Sequence, residues 1–437
     1  MYAMKRTILL IAALLTAAGA AAQESARIFR TEVVPYDTRH DAELGDRAKA
    51  GYSMEFHPEI RSVDDRSFTV GQTLDIPYAW TDGNVYLHLE NVRSAYSLWV
   101  NDRLVAEVED SATPAEFALT PFIREGKNDV KLLLRDSSAE RLNADPDSRG
   151  AFRNSYLYFQ NKRSIRDFEI ALVPDSTHKF GILDLKIIAQ NSYNYDERVT
   201  VGYDIYSPQG KLLEFNIQEV TIPGRSVDTV RFSPFVYGTY ANRWSADRQT
   251  PPLYDVMLFT RRDGAYKEYM PFKIGFGRAE LHDGRIRLPS GEIEPVKVAY
   301  NAAADPAATR AELQAFKAAG KNTLCPDYPQ PVWFYELCNE LGLYVIDRAN
   351  INAPSGRENR TVGGTPSNDP ALAQEYLERV EAMYYRSRNF TCVIAYALGG
   401  PSGNGYNMYK AYQWLKSVEK SRPVIYDDAD GEWNSDF

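Results

Sequence analysis

Seven residues, Gly399-Gly400-Pro401-Ser402-Gly403-Asn404-Gly405, form a glycine-rich turn between an apolar strand pattern and a helical one. Backbone amides at such a helix N-terminus can hold a phosphate. The dinucleotide fingerprint does not follow, because Gly403-x-Gly405 runs into Asn407 and Met408 with no third glycine in register. The lysine of a phosphate-binding loop is missing as well. The glycines are read instead as relief from side-chain crowding, and no cofactor is expected. Asp427 and Asp428 follow the apolar segment 424–426, but carboxylates at a strand end more often face solvent or cap a turn. Cys325, Cys338 and Cys392 lack zinc-type spacing, and an odd count cannot pair internally. Each sits in an apolar pattern and is expected as a small buried hydrophobe. His282 is the last histidine, so no His-dependent metal site or triad is expected in the C-terminal third.

The elements that must position these residues alternate in type. Asp305 caps a helix opened by Pro306, with Leu313 and Phe316 on one face and Gly320 closing it. A short strand, 323–325, precedes a helix over 331–341 that carries Phe334, Cys338 and Leu341 on one face, and Gly342 follows it. Strand 343–346 comes next, then a helix starting at Asn368-Asp369-Pro370 with Leu372, Tyr376 and Val380. Strand 393–398, a helix carrying Tyr412, Leu415 and Val418, and strand 424–426 complete the series. Strands alternating with helices specify a parallel sheet, doubly wound or a (β/α)8 barrel. A barrel needs about 250 residues, so four or five βα units make an incomplete one.

The chain before residue 278 reads as all-β. Val85, Leu87 and Leu89 alternate with Tyr86, His88 and Glu90, the pattern of a half-buried strand. Asn101-Asp102 between two apolar runs predicts a tight hairpin turn. Further strands are expected at 130–134, 183–188, 199–206, 227–232, 254–259 and 266–272, the length of an immunoglobulin-like sandwich for the second set. Charged residues at 25% and hydrophobic ones at 44% are those of a globular protein. A net charge of −9 without long blocks argues against nucleic acid or an anionic membrane as partner. Lys5 and Arg6, the apolar run 8–22 and the small residues Ala20-Ala21-Ala22 read as a secretory signal, placing the mature chain in a periplasm or outside the cell. That run is too short for a confident membrane span.

Residues 84–120, with SAYSLWVN (94–101) and EDSATPAEF (109–117) the most specific, resemble the sugar-binding jelly roll of glycoside hydrolase family 2, the β-galactosidase-like family. Trp244-Ser245-Ala246, Pro252-Leu253-Tyr254 and Lys273-Ile274-Gly275-Phe276-Gly277 resemble the exit of that family's immunoglobulin-like domain. WFYELCNELGLYVIDRANI (333–351), ALGGPSGNG (397–405) and SRPVIYDD (421–428) resemble its barrel strands three, four and five. The resemblance implies a multidomain β plus α/β fold. Its parts are a signal peptide (1–22), a jelly-roll β-sandwich (23–165), an immunoglobulin-like β-sandwich (166–277) and an incomplete (β/α)8 TIM barrel (278–437). It implies a retaining O-glycosyl hydrolase of β-galactosidase type acting on β-galactosides or related sugars.

The departures from the family bear on activity. Retaining glycosidases use two carboxyl groups about 5–5.5 Å apart. The family's acid stands in a Leu-Gly-Asn-Glu pattern, where this chain has Leu398-Gly399-Gly400-Pro401, and Pro401 has no proton to give. Asp327 replaces a family histidine in 324–329, and the family's Asp-Glu-Ala-Asn becomes Asp347-Arg348-Ala349-Asn350. The family's nucleophile strand would fall beyond Phe437. The expectation is therefore a β-galactosidase-like protein that is catalytically inactive as given. The alternatives are a carbohydrate-binding pseudoenzyme and a non-functional truncated product, the abrupt ending WNSDF (433–437) favouring the last. Asp327, Asn350, Asn404 and Tyr406, with Trp433 as a stacking platform, are the expected sugar contacts, and no metal is expected. Open strand edges near Val298 and at 424–426 are expected to favour self-association. The family's sugar-contacting loop in the first domain is altered around 142–150.

Overall fold

Two adjacent residues with positive φ set the first hairpin. Asn101 (φ 49°) and Asp102 (φ 60°) form the two-residue turn that matches the twist of antiparallel strands, joining Ala95–Val100 to Arg103–Val108. Asn101 Nδ2 donates to Asn128 Oδ1 (2.8 Å) and to the Phe122 carbonyl (3.0 Å), tying the turn to its neighbours. The computed structural model describes residues 26–437 apart from 33, 48–49, 64–66, 91, 111, 136–151, 153, 174–179, 278, 289–290 and 304. The expected leader and the 142–150 loop lie outside the described residues.

The first sandwich has two five-stranded antiparallel sheets. One runs in the order Arg27–Ile28, Ala115–Ala118, Gly83–Leu89, Tyr156–Asn161, Ser53–Glu55, and the other Glu59–Val63, Ser67–Ile76, Gly126–Arg135, Ala95–Val100, Arg103–Val108. Leu74, Val85, Leu87, Leu98, Phe117, Leu132 and Leu157 fill the space between them. Strand Gly83–Leu89 departs from the half-buried expectation, since all seven residues are buried. Its second face meets other domains: Tyr86 joins the core of the second sandwich, and His88 faces a helix of the C-terminal domain. That second sandwich sets Arg163–Val173, Phe180–Asn191 and Ser226–Phe232 against Leu212–Ile222, Glu197–Tyr206, Tyr254–Arg262 and Ala265–Ile274.

The C-terminal domain is a parallel sheet in sequence order, β1 (Lys297–Ala299), β2 (Thr323–Cys325), β3 (Tyr344–Arg348), β4 (Val393–Ala397) and β5 (Val424–Ile425). Between them run α1 (Pro306–Ala318), α2 (Val332–Leu341), α3 (Ala373–Ser387) and α4 (Tyr406–Val418). Asp305 caps α1 by accepting from the Ala307 and Ala308 amides (3.0 and 3.4 Å). Gly342 ends α2 at φ 71°, a left-handed conformation that disfavours a side chain. The helix expected from Asn368 instead begins at Ala373, after two 3-10 turns opened by Pro366 and Pro370. Proline fits a first turn but cannot donate to an earlier one.

One expectation about exposure is corrected, that of an open edge at 424–426. Every residue of β4 and all but the last of β3 are buried in one core. Leu281 and Ile286 of an unforeseen three-stranded sheet, Glu280–His282, Arg285–Leu288 and Gly291–Ile293, join the same core. The β5 edge is covered. The Val424 amide donates to Asp436 Oδ2 (2.8 Å), its carbonyl accepts from the Asp436 amide (2.8 Å), and the Tyr426 amide donates to Ser435 Oγ (3.0 Å). Among the described residues β1 remains an edge strand. Cys338 and Cys392 are buried and Cys325 partly so, all three as free thiols. No helix among the described residues is long and apolar enough to cross a membrane.

Three buried arginines in and after α3 bind the parallel domain to both sandwiches. Arg379 Nη1 meets Asp110 Oδ1 (3.3 Å), Arg386 Nη1 meets Glu32 Oε2 (3.1 Å), and Arg388 Nη2 meets Asp167 Oδ2 (2.6 Å). Removing one partner of a buried pair costs about 3–5 kcal/mol, because a charge is left behind. Arg388→Met should therefore lower stability by about 3 kcal/mol in urea unfolding, while Arg198→Ala, at a largely exposed pair with Glu219, should change it by less than about 0.5 kcal/mol. Equal effects would contradict this account of the domain junction.

Candidate functional site

The C-terminal ends of a parallel sheet gather loop residues from successive strands. After β1, Asn301 Nδ2 donates to Asp327 Oδ2 (2.9 Å), and the Asp327 amide returns a bond to Asn301 Oδ1 (2.9 Å). From the end of β3, Arg348 Nη1 reaches Asp327 Oδ1 (3.1 Å). The Asp327 side chain stays 54% exposed, so this carboxylate faces solvent with part of its charge compensated. Beside it the Arg93 guanidinium of the first sandwich lies over the Tyr328 ring, 4.6 Å from the ring centroid, a cation–π pair. Asn301, Asp327, Tyr328, Arg348 and Arg93 thus make a polar rim from two domains.

Asn350 is fully buried and does not face this rim. Its Nδ2 donates to Asp110 Oδ1 (2.7 Å), and its carbonyl accepts from Arg379 Nη1 (2.9 Å). Asn404 is buried too, in a reciprocal amide pair with Asn434 (3.1 and 2.9 Å). Tyr406 opens α4, 44% exposed, with its amide on Asn368 Oδ1 (3.0 Å). Trp433 stacks on Tyr409 (5.1 Å between centroids, 20° between planes) and meets Tyr412 edge-on. One face of its ring is thereby covered by the flank of α4. The structure leaves Asp327, Tyr406 and Trp433 exposed, the last two on α4 and its flank, and commits Asn350 and Asn404 to protein partners.

The loop after β4 is fixed from every side. The Gly400 amide donates to the Ile351 carbonyl (2.7 Å). Asp428 Oδ2 accepts from the Ser402 and Gly403 amides (2.9 and 2.7 Å), and its Oδ1 accepts from Arg357 Nη2 (2.8 Å). Ser402 Oγ accepts from the Ala353 amide (2.9 Å), and the Ser402 carbonyl accepts from Thr365 and Ser367. A Cβ at Gly403, where φ is 70°, would stand 2.4 Å from the Arg357 carbonyl oxygen, so the glycine answers both conformation and lack of room. Pro401 projects from this loop, exposed, and brings no titratable group. Asp428 is a loop clamp.

Asp347 on β3 is the buried carboxyl beneath the site. Tyr335 Oη donates to it at 3.0 Å, and the Arg348 amide at 3.1 Å. Burial pushes its pKa up to about 6, against the opposing pull of Ser387, Tyr335 and Arg386. Sequence reading missed Arg93, Asn301 and Arg348 as a set, since nothing in local spacing joins residues from three loops. Asp110 stood inside the matched stretch 109–117, but its partners Asn350 and Arg379 lie more than two hundred residues away.

Residues 36–160 match the family model described as "Glycosyl hydrolases family 2, sugar binding domain", and residues 303–436 match "Glycosyl hydrolases family 2, TIM barrel domain". A beta-galactosidase of Vibrio cholerae is 30% identical over 371 residues, covering 79% of this chain and 34% of that protein. One from Klebsiella pneumoniae is 28% identical over 424 residues, covering 92% and 38%. Among solved structures, a glycosyl hydrolase family 2 member from Bacteroides cellulosilyticus superposes with a TM-score of 0.68 at 17% identity, covering 84% of this chain and 51% of that one. The Bacteroides uniformis beta-glucuronidase gives 0.70 at 15% identity, covering 83% and 46%. The chain spans little more than a third of the length of the curated relatives it matches.

Two measurements check the electrostatics. The folded Asp347 carboxyl keeps its proton up to about pH 6, whereas an unfolded one loses it near about 4. The folded state then binds more protons in that window, so this group's contribution to stability falls as pH rises from about 4 to 6. Relative to Asp347→Asn, the wild type should lose about 2–3 kcal/mol across that range in urea unfolding, and parallel pH profiles would refute the assignment. At the loop, Asp428→Asn should cost about 1–3 kcal/mol and speed hydrogen exchange at the Ser402 and Gly403 amides. Unchanged exchange there would remove Asp428 as the clamp.

Proposed function

The chain belongs to glycoside hydrolase family 2, and on that premise we propose that it is a carbohydrate-binding member that does not hydrolyse its ligand. The observation that carries this reading is the loop after β4. Its family position for the proton donor is Pro401, and the nearest clamped carboxylate, Asp428, is engaged by two amides and Arg357. A general acid contributes roughly 10²–10⁴ in rate, and Pro401 contributes none of that. Asp347 is buried against Tyr335, which makes it a structural carboxyl rather than a donor to a bound sugar.

Binding is assigned to the rim of Asn301, Asp327, Tyr328, Arg348 and Arg93. Hydroxyl-rich ligands are held by side chains offering both donors and acceptors and by aromatic faces, and the rim offers each. β-Galactosides or related β-glycosides are the proposed ligands, by analogy with the beta-galactosidases and the beta-glucuronidase this chain resembles. The first sandwich is read as a jelly roll. The second is read as immunoglobulin-like, supported by its split into a three-stranded path and a four-stranded sheet. Export to a periplasm or the medium is proposed from the basic, apolar and small-residue pattern of residues 5–22.

The purified chain should turn over no chromogenic β-galactoside, β-glucuronide or β-mannoside above background. Turnover of roughly 1–10³ s⁻¹, the ordinary enzyme range, would overturn the reading. Pro401→Glu should remain inactive, because a double displacement needs a second free carboxylate. In calorimetry with galactose, lactose and mannose, Arg348→Ala should abolish any heat of binding while Trp433→Ala leaves it unchanged. Absence of heat with all three sugars for the wild type would remove the binding function.

A further inference from the structure

Away from the strand ends, three potential ligands meet where the first sandwich faces α3. His88, in the strand Gly83–Leu89, and Glu90, just past its end, stand beside Glu32 from the segment after the first strand. His88 Nε2 lies 3.2 Å from Glu90 Oε2 and 3.8 Å from Glu32 Oε2. One ligand atom from each residue falls within 4.8 Å of the others. Glu90 is 4% exposed, and its second oxygen, Oε1, is buried with no hydrogen-bond partner. A buried carboxylate oxygen with no donor is costly and calls for a cation.

We propose that Glu32, His88 and Glu90 bind a divalent transition-metal ion of the zinc type. Imidazole nitrogen with carboxylate oxygen is a donor set suited to zinc. Bonds of about 2.0–2.1 Å in a tetrahedral array put neighbouring donor atoms roughly 3.3 Å apart, close to the 3.2 and 3.8 Å found here. The surroundings hold the ligands in place, as supporting partners do in metal sites. Tyr156 Oη donates to Glu32 Oε1 (3.0 Å), and Arg386 Nη1 meets Glu32 Oε2 (3.1 Å). The His88 ring stacks on Tyr156 at 4.9 Å and 27°. Ser155 Oγ accepts from the Glu90 amide (2.9 Å). Arg386 is hydrogen-bonded to Glu32, and Arg47, the other guanidinium acting on Glu32, is bonded to Glu55; Glu90 meets the His88 ring, which leaves room for added positive charge. The ion would close the junction between the first sandwich and α3, a structural role separate from the sugar rim.

The test uses the untagged full chain, stripped with a chelator and titrated with ZnCl₂ against a competing zinc dye, with elemental analysis for stoichiometry. One equivalent per chain is expected. His88→Gln and the near-isosteric Glu90→Gln should each weaken binding by about 100-fold or more, and Tyr156→Phe by roughly 10-fold, with circular dichroism confirming that each variant is folded. Cys325→Ser, at the partly exposed thiol, should leave binding unchanged. Loading with Co²⁺ should give a visible spectrum without a thiolate charge-transfer band. No saturable zinc binding by the wild type, binding that survives both His88→Gln and Glu90→Gln, or binding lost in Cys325→Ser would overturn the proposal.

Discussion

The docking of α3 onto the sandwiches rests on charges taken out of water. Arg379, Arg386 and Arg388 each find a carboxylate that belongs to another part of the chain. A guanidinium is always charged and carries five donors, so burial demands several acceptors at once. Arg388 obtains them from Asp167, Thr31 and the Phe168 carbonyl, and Arg379 from Asp110 and the Asn350 and Glu109 carbonyls. Such pairs add little net stability over an apolar contact but penalise any other arrangement heavily. They act as registration marks for three domains, and the polar rim exists because Arg93 is thereby held over Tyr328.

Local chemistry was legible where one segment determines its own shape. Asn101-Asp102 gave its turn, Asp305-Pro306 its helix start, and the βα alternation its parallel sheet. Burial by a distant partner was not legible. The Gly83–Leu89 strand alternates in sequence yet is buried on both faces, because tyrosine, histidine and glutamate there pack against other domains rather than water. The three-stranded sheet at 280–293 escaped notice because its strands are only three or four residues long, too short for a period-two signal. The edge at Val424–Ile425 read as open because nothing local shows that Asp436 returns to pair with it.

The candidate site divides the same way. Pro401 was read between a strand and a helix, and it lies in the loop between β4 and α4; the crowding around Gly403 agrees with the reading of the loop as glycine-rich for want of space. Asn350 and Asn404 look like ligands in sequence because amides at strand ends so often are. In space they spend their hydrogen bonds on Asp110 and Asn434. An amide's role depends on whether its partner is protein or water, which three-dimensional placement alone decides.

The interlocked carboxylates have a consequence for how such a chain can be recombined. Excised alone, the first sandwich would present Glu32 without Arg386, and Asp110 with Arg27 but without Arg379, and the second sandwich would present Asp167 without Arg388. Neither would be a portable module, because its outer face is written for one particular neighbour. Exchange of parts between relatives would succeed only when the sandwiches and α3 travel together, so the heritable unit of this architecture is the junction and not the domain.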